Sequence, residues 1–368
     1  MKLRFDRHET SEALRSVCSV AAARSPKPIL KAVRLEARAD VLLLSATDLE
    51  LGLRCTVAQV EVEEPGVCLV TAETFARIVG ECSDDVLAVE TDENLLHVRG
   101  EGSHFQVVTQ DPAEFPPVPE MTGKPDFCIE GSVLGRLIEW TVFAAAREST
   151  RYAINGILWE VDGETLSLAA TDGRRLALAR GAITQNKLRE MVQAIMPGKA
   201  LSLLRGLPSQ ADAAVRVKIA PNQVLVDTGR AQLSTSLVEG HFPNYHDVIP
   251  SDCDRDVELD TAGFLSALRR AALLTNEESK GVRLSLEPGM LTLSGRAPEQ
   301  GEATVSMPVK YAGEPLEIGF NPVFLIDVLR VAHAEEVRFS LKEPNRPGVV
   351  RVGEDFVYVV MPVNLASA

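Results

Sequence analysis

Apolar and polar residues alternate along most of this chain in short runs, the signature of half-buried strands. Six stretches break the alternation with apolar residues every three or four positions, the signature of amphipathic helices. The helical stretches come in two kinds. Those starting near Leu14, Leu137 and Leu268 each lead through a polar turn into a strand centred on Leu35, Leu158 or Leu284. Those over Thr71 to Cys82, Gly198 to Leu207 and Asn321 to Ala332 each lead into strand runs. Strands are predicted at Val41–Ser45, Thr56–Glu61, Val67–Thr71, Val86–Glu90 and Leu95–Arg99. Further on they fall at Thr165–Ala169, Ala177–Arg180, Val215–Ile219, Gln223–Asp227, Met290–Leu293, Ala303–Pro308, Val337–Leu341 and Val349–Val352. Most links between them are short Gly, Asp or Pro turns, such as Val161-Asp162-Gly163-Glu164 and Glu287-Pro288-Gly289. A parallel crossover needs a dozen residues or more, so the sheets should be mainly antiparallel and the class α+β, with the helices gathered on one face.

The pattern repeats. Ala46-Thr47-Asp48-Leu49-Glu50-Leu51 returns as Ala170-Thr171-Asp172-Gly173-Arg174-Arg175-Leu176, with the threonines 124 positions apart, and a weaker copy, Leu293-Ser294-Gly295-Arg296, follows 123 positions later. The strand centres Leu35, Leu158 and Leu284 and the helix anchors Phe75, Leu201 and Phe324 keep a spacing of 123 to 126. One third of 368 residues is about 123, too long for a solenoid unit and the size of a domain with its own core. Three tandem domains of similar fold are expected, over residues 1–124, 125–252 and 253–368.

A hydrophobic content of 45% with 24% charged residues is that of a globular chain. The N-terminal residues lack the apolar core of a signal peptide, and no apolar run is long enough to span a bilayer, so a cytoplasmic location without membrane contact is expected. Cys18, Cys55, Cys68, Cys82, Cys128 and Cys253 form no CxxC pair and the histidines are scattered, so neither metal nor other cofactor is expected. A catalytic site in a triplicated chain should recur, yet the third copy carries Ser294-Gly295 where the others carry Asp; an enzyme is disfavoured. The net charge of −14 argues against tight binding to nucleic acid. That charge is unevenly spread, however. Arg15, Arg24, Arg136, Arg147, Arg269 and Arg270 lie in or beside the first helices, and Arg77, Lys199, Arg205 and Arg330 in the second. Acids gather at turns and strand edges such as Glu61 to Glu64 and Asp252 to Asp256.

Longer words narrow the reading. Arg151-Tyr152-Ala153-Ile154-Asn155-Gly156-Ile157-Leu158-Trp159-Glu160, the Ala170 to Ala177 segment, Gly240-His241-Phe242-Pro243-Asn244-Tyr245, Lys280-Gly281-Val282-Arg283-Leu284 and the terminal Val359-Val360-Met361-Pro362-Val363-Asn364-Leu365 are similar in order and spacing to the bacterial sliding clamps, the β subunits of DNA polymerase III. The resemblance runs from Met1 to Leu365. It implies a non-catalytic processivity factor, a head-to-tail homodimer whose six domains form a ring around duplex DNA. In each domain the sheets lie outside and two helices on one face. The implied partners are sequence-independent duplex DNA, the polymerase's α subunit, an ATP-driven clamp loader and other proteins bearing a short motif of Gln, Leu and Phe.

By the same resemblance the motif would enter a pocket between the second and third domains. Its lining would be Ile154, Thr171, Gly173, Arg174, Arg175, Leu176, Pro243, Val248, Val359, Val360, Met361, Pro362, Val363 and Leu365. Asp172 is expected to hold a turn, and the tail to form an edge strand of the third domain. Arg24, Arg151, Tyr152 and Lys199 match DNA-contacting positions. Arg99, Phe105, Leu273, Leu274, Glu299 and Glu302 match the contact between chains, although Phe105 could equally be strand core. Ala153 stands where some clamps have tyrosine, Arg174 where histidine is common and Asn364 where arginine is common, and Ala366-Ser367-Ala368 extends past the usual end. A scaffold that never encircles DNA and a specialised clamp paralogue are the alternatives.

Overall fold

The computed structural model describes residues 1–21, 25–146, 153–207, 214–275, 281–297 and 300–364. Its contacts divide the chain into two compact units. One comprises residues 1–134, 183–190 and 199–237, the other 135–182, 191–198 and 238–368.

The first unit holds two antiparallel sheets. One runs in the order Val60–Glu64, Lys2–Asp6, Val86–Asp92, Leu95–Arg99, His104–Val108. The other has nine strands, in the order Gln185–Asn186, Phe127–Glu130, Ala214–Ala220, Gln223–Asp227, Ala231–Ser236, Leu51–Val57, Val41–Thr47, Ala32–Arg38, Gly66–Thr71. Helix α1 (Arg7–Val20) starts where the Asp6 carboxylate accepts the Glu9 N–H at 2.7 Å, and it buries Thr10, Ala13, Leu14 and Val17 along one stripe. Helix α2 (Ala72–Glu81) buries Ala72, Phe75 and Val79 and packs on α1. The predicted strand Thr56–Glu61 does not exist as one element. Residues up to Val57 end one sheet, Ala58 and Gln59 break the run, and Val60 opens a strand of the other. An uninterrupted apolar rhythm hid that change of sheet.

Helix α3 (Gly131–Thr141) carries the chain from the first unit into the second. Helix α4 (Gly198–Arg205) buries Ala200, Leu201 and Leu204. The second unit has an eight-stranded antiparallel sheet, in the order Val192–Pro197, Gly156–Asp162, Thr165–Thr171, Arg175–Ala182, Phe356–Val360, Gly348–Val352, Glu336–Leu341, Arg255–Asp260. Its smaller sheet runs Gly301–Pro308, Met290–Ala297, Val282–Glu287, Leu316–Phe320. Asp260 caps α5 (Thr261–Ala271) and Asn321 caps α6 (Pro322–Val331). Within α6 the fully buried anchor is Leu325, whereas the predicted anchor, Phe324, is only half-buried. The tail strand Phe356–Val360 is the outermost of the third predicted domain's strands in this sheet, hydrogen-bonded on one side to Gly348–Val352 and on the other to Arg175–Ala182 of the middle predicted domain. This pairing, and that of Ala231–Ser236 with Leu51–Val57, joins strands from successive predicted domains into continuous sheets. The two compact units therefore cut through the middle predicted domain.

Candidate functional site

The second unit contains a turn built almost entirely from its own polar groups. After the Thr165–Thr171 strand, an Asp172 carboxylate oxygen accepts the N–H groups of Arg174 and Arg175 at 3.0 and 3.1 Å. Thr171 Oγ1 accepts the Gly173 N–H at 3.1 Å and donates to the Arg175 carbonyl at 2.6 Å. Gly173 sits at φ +84°, where a Cβ would crowd the backbone. Asp172 is thus the keystone of the reversal. The Arg175 side chain turns inward: Nε donates to Asp172 at 2.9 Å, Nη1 to Asp327 at 2.8 Å and Nη2 to the Phe143 carbonyl at 2.8 Å, with the guanidinium over the rings of Phe143 and Phe324. Burial opposes this charge, but Tyr358, Asp327 and Asp172 outweigh it and hold Arg175 above the ordinary arginine value. Phe324 leaves the helix core to make this stack.

Beside the turn lies a cleft of about 780 Å³, within the size range of ligand pockets. Ile154, Thr171, Gly173, Arg174, Arg175, Leu176, Pro243, Val248, Val359 and Met361 line it. The tail is tied in by the Met361 N–H, which donates to the Arg174 carbonyl at 2.9 Å and carries the ladder one residue past Val360. Val359 and Met361 therefore share a face, while Val360 points the opposite way and is fully buried. Pro362 and Val363 do not line the cleft, the Val363 N–H being engaged with the Gly319 carbonyl at 2.8 Å; Leu365 lies outside the described residues. A third wall, after Gly240, is anchored by Tyr245, which is 4% exposed and donates to Glu160 at 3.1 Å. Burial and the Glu160 carboxylate both push this phenol up. Residues not foreseen extend the cleft: Asn244, Tyr245, Asp247 and Ile249–Cys253 from one segment, and Lys342 and Asn345–Pro347 from the hairpin between the Glu336–Leu341 and Gly348–Val352 strands. Adjacency to Pro243 could have suggested the first group, but nothing in the sequence brings the hairpin there.

The other predicted residues are scattered. Lys199 Nζ is held by the Asp48 carboxylate at 2.6 Å while remaining 59% exposed. Arg24, Arg151 and Tyr152 lie outside the described residues. Arg15, Arg77, Arg136, Arg205, Arg269, Arg270 and Arg330 are all exposed on helices whose opposite faces are buried. In the first unit Phe105 is half-buried on the His104–Val108 edge strand, whose last residue, Val108, is 71% exposed; Arg99, one strand in, is paired with Glu90 at 2.7 Å. In the second unit Glu302 is exposed on the Gly301–Pro308 edge strand, Leu274 is half-buried and Leu273 is 74% exposed; Glu299 lies outside the described residues. Among the described residues no group of three or more His, Cys, Asp or Glu could hold a metal ion. No helix among them is long and apolar enough to cross a membrane.

The three domains, the turn and the cleft define a protein of the clamp class. Family models for the N-terminal, central and C-terminal domains of the DNA polymerase III beta subunit match residues 1–119, 128–244 and 246–364 in that order. The chain belongs to the DNA polymerase III beta subunit family, the beta sliding clamps. It is 36% identical to the beta sliding clamp of Pseudomonas aeruginosa over 368 residues, covering 99% of this chain and 100% of that one. To that of Escherichia coli it is 33% identical with the same coverage. Among solved structures, the Pseudomonas aeruginosa sliding clamp bound to griselimycin superposes with a TM-score of 0.94 at 36% identity, covering 99% and 100% of the two chains. The Bacillus subtilis clamp superposes at 0.92 with 27% identity, covering 99% of each.

Proposed function

We propose that two copies of this chain close head to tail into a ring around duplex DNA and hold the replicative polymerase on its template, performing no chemistry of their own. The observation that carries this reading is the match of three successive domains to the N-terminal, central and C-terminal domains of the beta subunit. Two features support the closure. The His104–Val108 and Gly301–Pro308 strands each end a sheet with unpaired backbone, and each has exposed apolar residues nearby in Val108 and Leu273. Such edges invite strand pairing, and a contact joining two different surfaces closes into a ring when the rotation allows. Arg99, Phe105, Leu273, Leu274, Glu299 and Glu302 are the residues assigned to it.

DNA contact in this reading is electrostatic and independent of sequence, made by exposed cations on the helices and by Arg24, Arg151, Tyr152 and Lys199. Lys199 contributes weakly, since Asp48 already neutralises it. Weak contact suits a ring retained by topology, and a net charge of −14 keeps the grip loose. The cleft beside Gly173 takes the Gln-, Leu- and Phe-containing peptide of the polymerase and other partners. Its apolar walls receive the side chains, and Met361 adapts to different ones.

The test is retention on DNA with a bacterial clamp loader and ATP. A ring stays on closed circular DNA and is lost when the circle is linearised. Equal retention on both would mean ordinary binding, and no retention on either would leave a scaffold that does not encircle DNA.

A further inference from the structure

The cleft does not end at its apolar walls. Its far side is a hairpin turn, Lys342-Glu343-Pro344-Asn345-Arg346-Pro347, facing the segment Ser251-Asp252-Cys253. Lys342 and Asp252 neutralise each other across this gap at 2.5 Å, each shifting the other further toward its charged form. Arg346 lines the same lobe, is exposed, and makes no side-chain hydrogen bond or ion pair among the described residues. With Lys342 and Asp252 paired, Arg346 is the cation left without a partner in this lobe among the described residues; Glu343 of the same turn is exposed and does not line the cleft.

The turn holds that charge in place. Pro347 restricts Arg346 to extended backbone, Pro344 does the same for Glu343, and the Arg346 N–H closes the turn on the Glu343 carbonyl at 3.1 Å. Gly348 anchors the base: a Cβ there would lie 2.7 Å from Phe339 and 3.0 Å from Phe320, so the hairpin is seated directly on rings of the core. The guanidinium therefore projects from a stiff support and loses little backbone freedom on meeting a partner.

We infer that Arg346 makes this lobe select peptides with a carboxylate side chain flanking the apolar anchor residues. The inference rests on the peptide-docking reading of the cleft. A carboxylate is the group a guanidinium recognises in a two-pronged geometry. Placed there it finds a guanidinium that has no hydrogen-bond or ion-pair partner among the described residues, whereas a lysine or arginine in the peptide finds no such partner.

The experiment uses the full chain and fluorescein-labelled peptides of Gln, Leu and Phe, each with Glu or its isostere Gln at the N-terminal or C-terminal flank. Anisotropy titration at low salt should show one Glu peptide binding about two- to five-fold more tightly than its Gln counterpart, the range of an exposed ion pair. That preference should fade as ionic strength rises. Arg346→Ala should erase it and Arg346→Glu should invert it, an inversion that unfolding cannot mimic. Equal binding of Glu and Gln peptides at both flanks, or a preference that survives Arg346→Glu, would overturn the inference while leaving the docking site intact. Failure of every peptide to bind the unaltered chain would overturn the docking reading and this inference with it.

Discussion

The turn at Thr171–Leu176 has a twin in the first unit at Thr47–Gly52, and the two differ in what covers them and in the residue that turns inward. In the twin, Asp48 accepts the N–H groups of Glu50 and Leu51 at 3.1 and 2.7 Å, and Thr47 Oγ1 accepts from Leu49 at 3.0 Å and donates to the Leu51 carbonyl at 2.8 Å. The Ser236 N–H donates to the Glu50 carbonyl at 2.9 Å, the counterpart of the Met361 bond to Arg174. Even the left-handed residue is matched, Leu49 at φ +83° against Gly173 at +84°. Beside the twin, however, the space next to the strand is filled. A Cβ on Gly52, the counterpart of Leu176, would meet Ser234 Oγ at 2.5 Å and Val118 Cγ1 at 2.8 Å. Arg54 holds the covering segment down through the Val118 carbonyl and Glu120 at 3.1 and 2.5 Å. Identical backbone thus yields a packed seam in one unit and a cleft in the other. The difference lies in what lies over the strand and in whether the inward residue is apolar Leu51 or ionic Arg175.

The largest break in this comparison should come from Arg175. Arg175→Leu copies the twin, yet it leaves Asp327, Asp172 and the Phe143 carbonyl without their donor. Removing one partner of a largely buried ion pair costs about 3 kcal/mol. A fall of that size in unfolding free energy, read from denaturant titration, is expected, with part of it recovered in Arg175→Leu/Asp327→Leu. A neutral single variant would show that the ionic anchor is interchangeable with the apolar one. Next in size is Gly52→Leu, which copies the cleft's wall into the filled seam. It must displace Val118 and Ser234, and overpacking of this kind costs about 2 kcal/mol. Thermal unfolding checks it; an unchanged transition would mean the covering segment yields freely.

Much of this was legible in the sequence, and the reason is the repeat. A polar turn that satisfies its own backbone needs Thr, Asp and a left-handed residue in fixed order, so both copies declared themselves. What stayed hidden depends on partners distant in sequence. Phe324 reads as a core anchor because its spacing is right, but an arginine 149 positions away draws it out of the core. The tail reads as the edge strand of the third domain, and nothing local to it says that Arg175–Ala182 pairs alongside. The resemblance groups Val360 with Val359 and Met361, although strand alternation sends it to the other face. The hairpin carrying Arg346 offers no local sign that it reaches the cleft.

The smallest effect discriminates most finely between the two turns. Leu49 carries a side chain in a left-handed conformation that disfavours Cβ by roughly 1–2 kcal/mol, and it is 56% exposed, so little packing offsets the strain. Leu49→Gly relieves the strain but gives the unfolded chain more freedom, a cost of roughly 0.5–1 kcal/mol. The net should be a gain of about 0.5 kcal/mol. Gly173→Ala runs the same argument backwards. Beyond the residue and its chain neighbours no heavy atom lies within 4 Å of the added Cβ, so its cost is conformational alone, about 0.5 kcal/mol net. Guanidinium denaturation of both variants should move the midpoint in opposite directions. Shifts of the same sign would mean that the two turns, alike in the hydrogen bonds of their Thr and Asp side chains, do not bear equivalent strain, because Leu49 makes a contact in the folded state that Gly173 lacks.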